Sequence, residues 1–203
     1  MTLTLLHTAE VHRTTFDTLR DRIAPDQALT HLVRSDWLAR AQTGIDDALK
    51  AEITDTIKAA NGPVICTCTT LGPVATAFGA TRIDQPMMAR AARIGGPIVM
   101  AYCVDSTYGP SLDLLEGELK AAGRKEVVHP LPMRALWPLF QADMHEAFHI
   151  AIAGEIRQVV AQMGSVGCVV LAQASMVGAA ALLADLDVPV LASPELALRA
   201  ALG

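Results

Sequence analysis

Val64-Ile65-Cys66-Thr67-Cys68-Thr69-Thr70-Leu71 has a counterpart later in the chain, Val169-Val170-Leu171-Ala172-Gln173-Ala174-Ser175-Met176. Each stretch is a short apolar run followed by small polar residues and then by an Ala-rich helical segment. Such a pattern predicts a buried parallel strand that delivers side chains to the start of a helix. When the two are aligned, Cys68 falls on Gln173. We therefore expect an internal repeat in which only one copy carries a thiol at the shared position.

The composition excludes several classes of protein. The chain has 203 residues, 52% hydrophobic but only 4% aromatic, which predicts an aliphatic core. Its net charge of -5 is spread without runs, so no basic surface for nucleic acid is expected. The first residues lack the basic start of a signal peptide, and the longest apolar stretch, residues 168–184, is short for a membrane span. We expect a cytoplasmic protein with no membrane partner and with reduced cysteines.

Short apolar runs alternate with longer helical patterns, and Gly and Pro residues mark the turns between them. This alternation predicts an α/β fold with parallel strands, in which ligands bind beyond the carboxyl ends of the strands. The predicted strands are residues 3–6, 28–33, 64–67, 98–103, 126–129, 169–172 and 188–192. The predicted helices are residues 11–22, 37–60, 72–79, 85–93, 110–122, 143–163, 177–184 and 194–201.

Polar side chains follow the predicted strand ends. Hydroxyls and free N–H groups at helix starts suit a substrate carboxylate, although the same residues are also typical helix caps. His7 is in addition an acid/base candidate, with a half-buried structural role as the alternative. The residues predicted to bind substrate are His7, Thr8, Thr69, Thr70, Ser106, Thr107, Gln173 and Ser175.

Cys68 is the predicted catalytic residue. A thiol at the start of a helix is expected to have a lowered pKa, which suits a base, an acid or a nucleophile. The alternative is a small buried apolar residue. Cys66 precedes it on the same strand face and is the other candidate for the active thiol. Cys103 and Cys168 are predicted to be core residues.

The segment His145-Glu146-Ala147-Phe148-His149 matches the HExxH pattern of zinc proteases. It lies on a predicted helix, which would bring both imidazoles to one side. No third ligand follows at the extended spacing, so a solvated helix face is the favoured interpretation and no metal is expected. The remaining histidines, His12, His31 and His129, are predicted to lie at the surface or at the rim of the site.

Several stretches resemble the aspartate/glutamate/hydantoin racemase superfamily, whose members use no cofactor. Cys66-Thr67-Cys68-Thr69-Thr70-Leu71-Gly72 is similar to the first catalytic cysteine loop. Arg82-Ile83-Asp84-Gln85-Pro86-Met87, followed by residues 98–110, is similar to the central segment. Leu171-Ala172-Gln173-Ala174-Ser175-Met176 is similar to the second cysteine loop in its hydantoin-racemase form, and Val188-Pro189-Val190-Leu191 also fits.

The resemblance implies two pseudo-symmetric α/β lobes, each with a small parallel sheet flanked by helices. One lobe would comprise residues 1–96 with 193–203 and the other residues 97–192, with the active site between them. It also implies a small carboxylate or imide substrate with an acidic carbon, and no cofactor. We further expect a homo-oligomer, a dimer or larger.

The family's racemases place one thiol on each face of the substrate carbon. A Gln amide neither takes nor gives a proton near neutral pH, so Gln173 at the second thiol position predicts one-sided chemistry, unless His7 supplies a second base. Single-thiol relatives include decarboxylases, in which one acid reprotonates a carbanion. The expected function is a cofactor-independent isomerase or lyase that does not racemise aspartate, glutamate or simple hydantoins. The alternatives are a non-catalytic small-molecule-binding protein with a degenerate site and, less favoured, a zinc hydrolase.

Overall fold

The structure is a computed structural model that describes residues 2–203, and the chain forms two compact units. The first unit comprises Met1–Gln85 with Pro194–Gly203, and the second comprises Pro86–Ser193. The helix Gln85–Ile94 begins at this boundary, whereas the predicted division put it with the first lobe.

One or two helices separate successive strands along the described residues. In chain order they are β1 (Leu3–His7), α1 (Val11–Ile23), β2 (Leu29–Val33), α2 (Ser35–Ala41), α3 (Asp47–Lys58), β3 (Val64–Cys66), α4 (Gly72–Ala77), β4 (Thr81–Arg82), α5 (Gln85–Ile94), β5 (Ile98–Tyr102), α6 (Asp105–Ala121), β6 (Val128–Pro132), α7 (Trp137–Gln141), α8 (His145–Met163), β7 (Cys168–Leu171), α9 (Val177–Leu182), β8 (Val190–Ala192) and α10 (Ser193–Leu202). Short 3₁₀ turns precede α7 and α9, at Arg134–Leu136 and Ala174–Met176.

Each unit contains a four-stranded sheet of the same topology. The strand orders are β2-β1-β3-β4 and β6-β5-β7-β8, and every strand pair is parallel. The register is repeated as well. Thr67 N–H donates to Leu6 O at 2.9 Å, and Ala172 N–H donates to Ala101 O at 2.9 Å. The predicted fold class, two α/β lobes with parallel sheets, is confirmed.

This shared register fixes the alignment of the two loops. The residues that directly follow the two N–H donors are Cys68 and Gln173, so the structure gives them equivalent positions within their units. The helices that come next, α4 and α9, have the same length of 6 residues. The internal repeat that the sequence predicted is therefore present in the backbone.

One predicted helix, residues 37–60, is in fact two helices, α2 and α3. Between them, Gly44 adopts a positive φ of 115°, a backbone conformation that residues other than glycine rarely adopt. Asp46 then caps α3, since its carboxylate accepts a hydrogen bond from Leu49 N–H at 2.7 Å. The prediction of a continuous helix was wrong because apolar residues continue on both sides of this break.

Strand β6 lies further along the chain than the predicted residues 126–129. It contains Pro130 and Pro132, which lack the N–H group that a central strand needs. Because β6 is an edge strand, both prolines can face away from β5 while Met133 N–H donates to Tyr102 O at 2.7 Å. The two-residue strand β4 was not predicted because it is too short to produce a periodic pattern.

Each unit has its own apolar core. In the first, Trp37, Leu49 and Ile53 of α2 and α3 pack with Leu6 and Cys66 of the sheet. In the second, the buried members include aromatic and aliphatic side chains of α8 and of the sheet: Phe148, Ile152, Ile156, Val99, Val169 and Leu171. Among residues 2–203, no helix combines the length and the apolar character needed to cross a membrane.

Candidate active site

Cys68 lies in the loop that leaves β3 and enters α4, and its side chain is buried. Its sulfur is approached by four hydrogen-bond donors: the hydroxyls of Thr8 and Thr70, and the backbone N–H groups of Thr70 and Leu71. Thr8 directly follows β1, which is the neighbour of β3 in the sheet. Parallel strands thus bring together three residues that the sequence analysis assigned to the site.

Two opposing influences set the pKa of the Cys68 thiol. Burial raises this pKa, while the hydrogen bonds from Leu71, Thr8 and Thr70 lower it because each donor stabilises the thiolate. Burial is the larger influence, so the net shift is upward. The prediction of a lowered pKa is therefore wrong. A thiol that stays protonated near neutral pH is available as a proton donor.

The other three thiols have different surroundings. Cys66 is completely buried, donates to Cys68 O at 3.5 Å, and has its pKa raised mainly by burial. Burial raises the pKa of Cys103 to about 12 and that of Cys168 to about 11. No hydrogen bond from a hydroxyl contributes to these three shifts, whereas two hydroxyls contribute to that of Cys68.

His7 lies behind the loop that carries Cys68 and is completely buried. Its Nδ1 is 2.8 Å from the hydroxyl oxygen of Thr67, and its Nε2 is 2.9 Å from Nδ1 of His31. Burial, followed by the nearby His12 and His31, lowers the pKa of His7 to about 3. Both nitrogens of a neutral imidazole are thus engaged within the protein. Thr69, in the same loop as Cys68, is also buried.

The sequence analysis predicted that His12 and His31 lie at the surface or at the rim of the site, and the structure shows that neither is a surface residue. His12 is buried, and its ring lies 6.0 Å from that of His7. His31 has a side chain only 10% exposed, and its Nε2 lies 3.2 Å from a carboxylate oxygen of Asp17. The pairing of β2 with β1 brings His31 beside His7. This proximity could have been inferred from the two predicted strands, had their pairing been considered. His129 is half-buried.

A buried ion pair supports the start of α4. Arg82 donates to both carboxylate oxygens of Asp84, at 2.9 and 2.7 Å. The Arg82 side chain passes directly under Gly72, where an added Cβ would lie only 2.9 Å from its Nε. Glycine at this position therefore lets α4 begin close to the sheet.

In the second unit, Gln173 holds two loops together. Its amide oxygen accepts hydrogen bonds from the N–H groups of Cys103 and Val104, at 2.6 and 3.0 Å. These two bonds use both acceptor lone pairs of that oxygen. The Nε2 group therefore remains as the donor that Gln173 can offer to a ligand.

Ser175 is buried beside Gln173, and its hydroxyl has no hydrogen-bond partner among the described residues. A buried polar group without a partner is unusual in a folded protein and suits a place where a ligand binds. In the first turn of α6, Thr107 is buried and Ser106 is half-buried. Strands β5 and β7 are neighbours. The loops that follow them thus place the four predicted polar residues of this unit at the carboxyl end of the sheet.

The HExxH segment has a structural role in the second unit. Nε2 of His149 donates to Ser175 O at 2.9 Å, and the ring lies against Gly178, where a Cβ would be 2.3 Å from Nδ1. Glu146 is exposed, and His145 Nε2 is 3.6 Å from an oxygen of Asp143. Within residues 2–203, no three His, Cys, Asp or Glu side chains are grouped so that they could hold a metal ion.

Comparison with solved structures identifies the same fold in several enzymes. Glutamate racemase of Francisella tularensis, solved with D-glutamate, superposes with a TM-score of 0.69 at 13% identity, over 98% of this chain and 79% of the racemase. Allantoin racemase of Pseudomonas fluorescens gives 0.64 at 15% identity, over 99% and 89%. A variant of arylmalonate decarboxylase gives 0.60 at 14% identity, over 99% and 91%.

No family model matches the sequence. No curated protein matches it significantly. At identities of 13–15%, the structural likeness shows a shared fold and leaves the reaction to be argued from the residues of this chain.

Proposed function

We propose that this chain is a cofactor-independent enzyme in which Cys68 transfers a proton at an acidic carbon of a small carboxylate or imide. The observation that carries the proposal is the set of four donors around the Cys68 sulfur. Hydroxyl and backbone N–H donors stabilise the thiolate that remains once the thiol has given up its proton. A core cysteine has no need of such donors.

The raised pKa of Cys68 favours chemistry that begins from the protonated thiol. In a decarboxylation, the bond from the acidic carbon to a carboxylate breaks, CO₂ leaves, and the electron pair forms an enolate. The Cys68 S–H then gives its proton to that carbon, and a proton from water restores the thiol. In simple hydrogen exchange, the thiolate first removes the carbon-bound proton and the thiol then returns one.

Gln173 makes this chemistry one-sided. It occupies the position in its unit that Cys68 occupies in the first, and its oxygen is fixed by Cys103 and Val104. An amide with only its NH₂ group available can donate to a substrate oxygen but cannot protonate carbon. We therefore favour decarboxylase-type or exchange chemistry over racemisation.

The substrate oxygens need donors that stabilise negative charge as the enolate forms. We propose that hydroxyl and amide groups of the loops supply them, with the free hydroxyl of Ser175 as the first candidate. The proposed binding residues are Thr8, Thr69, Thr70, Ser106, Thr107, Gln173 and Ser175, and His7 supports the Cys68 loop from behind. That Gln173 faces Cys68, that the protein is a homo-oligomer, and that it is cytoplasmic stay predictions.

The test is solvent deuterium exchange on a panel named after the structural neighbours: glutamate, aspartate, allantoin and an arylmalonate. We expect at least one compound to gain deuterium at its acidic carbon, directly or on loss of CO₂. Cys68→Ala should reduce that rate by about 10²- to 10⁴-fold, the usual contribution of a positioned acid or base. Cys168→Ala is the matched control, because Cys168 is a core residue of β7.

Two results would count against the proposal. Binding of panel compounds without any exchange favours the alternative of a non-catalytic small-molecule-binding protein. Exchange that survives in Cys68→Ala but is lost in Cys66→Ala assigns the chemistry to the other thiol of this loop. A zinc hydrolase would instead be inactivated by His145→Ala, a change that should leave exchange by Cys68 intact.

A further inference from the structure

A chain of hydrogen-bonding groups runs from the surface of the first unit to the loop of Cys68. It begins at Asp17 of α1, whose side chain is 45% exposed, and passes to His31 at 3.2 Å. His31 contacts His7 at 2.9 Å, and His7 contacts the Thr67 hydroxyl at 2.8 Å. That hydroxyl also lies 3.0 Å from Leu6 O. The groups come from α1, β2, β1 and the end of β3.

With both imidazoles neutral and His31 donating to the Asp17 carboxylate, the protons of this chain have one arrangement. His31 Nε2–H donates to the Asp17 carboxylate, His7 Nε2–H donates to His31 Nδ1, and the Thr67 hydroxyl donates to His7 Nδ1. The proton of the Thr67 hydroxyl is then committed to the hydrogen bond with His7. The 3.0 Å contact between Thr67 Oγ1 and Leu6 O is left without a proton.

One added proton reverses the chain. His31 becomes an imidazolium that donates to Asp17 from Nε2 and to His7 from Nδ1. His7 must then carry its proton on Nδ1 and donate it to Thr67, so the Thr67 hydroxyl turns to Leu6 O. All four contacts are hydrogen bonds at once in this form.

The groups around His7 disfavour an added proton on its ring. His7 is faced by His12 and Arg13 of α1 as well as by His31, and burial with these neighbours lowers its pKa to about 3. His31 is faced by the carboxylate of Asp17. Arg20 approaches the same oxygen of Asp17, at 3.4 Å, and so competes for it.

We propose that Asp17, His31, His7 and Thr67 form a positioning network for the Cys68 loop, and that its protonation switches the Thr67 hydroxyl between His7 and Leu6 O. The inference rests on the proposed function, since it assigns the network to the loop that carries the reacting thiol. Thr67 is joined to Cys68 by one peptide bond, and His7 is joined to Thr8 in the same way. A change at Thr67 and His7 therefore acts on the sulfur and on one of its donors together.

In the protonated form, the Thr67 hydroxyl adds one hydrogen bond, to Leu6 O, between the end of β3 and β1. This bond lies just before Cys68 in one loop and Thr8 in the other. The protonated network should therefore keep the hydrogen-bond donors of the Cys68 sulfur in place better than the neutral network does. The Cys68 thiolate should therefore be more stabilised at the lower pH, where the network carries the added proton, and this advantage should be lost as the pH rises and that proton leaves.

The first measurement is ¹⁵N NMR of the histidine side chains of the full-length protein across about pH 5 to 8, the range in which imidazoles usually titrate. We expect the network to take up one proton as the pH falls, while His7 stays neutral and its own proton moves from Nε2 to Nδ1. His129, which lies in the other unit, is the internal reference. A His7 tautomer that stays the same across this pH range would overturn the proposal.

The second measurement is the rate of Cys68 alkylation over the same range, in the wild type, Thr67→Val and Thr67→Ser. In the wild type, the rate on the acid side should exceed the line extrapolated from high pH by roughly two- to tenfold, the value of one hydrogen bond. Thr67→Val, which keeps the shape and removes the hydroxyl, should abolish that excess, and Thr67→Ser should restore it. Equal profiles for Val and Ser variants would contradict the network.

These readouts separate the two proposals. The tautomer change and the alkylation profile need no substrate, so they can succeed even if no compound of the panel reacts. Conversely, a fixed His7 tautomer would remove the network while leaving the role of Cys68 in proton transfer untouched.

Discussion

The sulfur of Cys68 shows how a sequence motif and its environment act in opposite directions. The hydroxyls of Thr8 and Thr70 and two N–H groups at the start of the helix favour the thiolate, and the helix start alone had led the sequence analysis to expect a lowered pKa. Burial nevertheless outweighs them, and the pKa of this thiol is raised. The extent of burial depends on packing that a local motif does not encode, which is why the direction of the shift was predicted wrongly.

This balance predicts the effect of removing a donor. Thr70→Val takes away the hydroxyl that stabilises the Cys68 thiolate, so the pKa should rise further and the thiolate fraction at mildly alkaline pH should fall. Since a hydrogen bond to a charged group contributes about 1.5–3 kcal/mol, alkylation of Cys68 should slow by about tenfold or more. Peptide mapping after labelling with iodoacetamide measures the rate.

The matched control is Thr54→Val, which removes a buried hydroxyl that bonds to Lys50 O within α3. It should leave the alkylation rate of Cys68 unchanged. In the unmodified protein, Cys68 should be labelled before Cys103 and Cys168. Preferential labelling of either core thiol, or no effect of Thr70→Val, would argue against donors to the sulfur.

The groups that follow the ends of neighbouring strands were predictable from the sequence, whereas those that depend on the packing of a helix over the sheet were not. Thr8, Thr70 and Cys68 were predicted from strand ends and do lie together. Asp17 and His31 were missed, because α1 must pack over the sheet before a carboxylate on that helix can reach a histidine on β2.

At the scale of elements, α4 owes its close approach to the sheet to one glycine. An added Cβ at Gly72 would meet the Arg82 side chain at 2.9–3.2 Å, and this side chain is held by two hydrogen bonds to Asp84. Gly72→Ala should therefore destabilise the protein by about 1–3 kcal/mol, as overpacking generally does. Urea denaturation measures the change in the free energy of unfolding.

Gly117 of α6 provides the comparison, because an added Cβ there meets nothing within 4 Å. Gly117→Ala should stabilise the protein by up to about 1 kcal/mol through helix propensity alone. If both substitutions changed stability in the same direction, the contact between Gly72 and Arg82 would not be the cause.

The loop that carries Gln173 and Ser175, between β7 and α9, is held by a contact between two helices. His149 of α8 donates to Ser175 O, and its ring occupies the space beside Gly178 of α9. Gly178→Ala should destabilise the protein by about 1–3 kcal/mol because the new methyl group collides with this ring. His149→Ala should lose about 1 kcal/mol with the hydrogen bond.

The double variant tests the contact itself. Removing the ring makes room for the methyl group, so His149→Ala with Gly178→Ala should be less destabilised than the sum of the two single variants. Additive changes in the free energy of unfolding would mean that the two residues do not interact. The HExxH motif is thus accounted for by packing: the sequence located it on a helix, but the partner of His149 lies on another element.

At the scale of the whole molecule, one supersecondary pattern is used twice. The two sheets share strand order, register and the length of the helix that follows the site loop. This repetition was predictable because short apolar strands and Ala-rich helices leave a strong pattern in the sequence. The break between α2 and α3 and the position of β6 were not, since they depend on a single glycine conformation and on which strand lies at an edge.

The repetition places chemically different residues, the thiol of Cys68 and the amide of Gln173, at equivalent loop positions of the two units. Proton transfer should then occur on one face of the substrate carbon. Racemisation requires exchange on both faces, whereas one-sided exchange replaces hydrogen without inverting the centre.

The measurement that tests this most directly follows deuterium entry and enantiomeric purity in the same sample, in D₂O, with enantiopure glutamate, aspartate and allantoin and with a prochiral arylmalonate. We predict that the reacting compound gains deuterium in a Cys68-dependent manner while its configuration is retained, or that decarboxylation gives one enantiomer. Loss of enantiomeric purity as fast as deuterium enters would contradict it, because a second group would then be delivering protons from the opposite face.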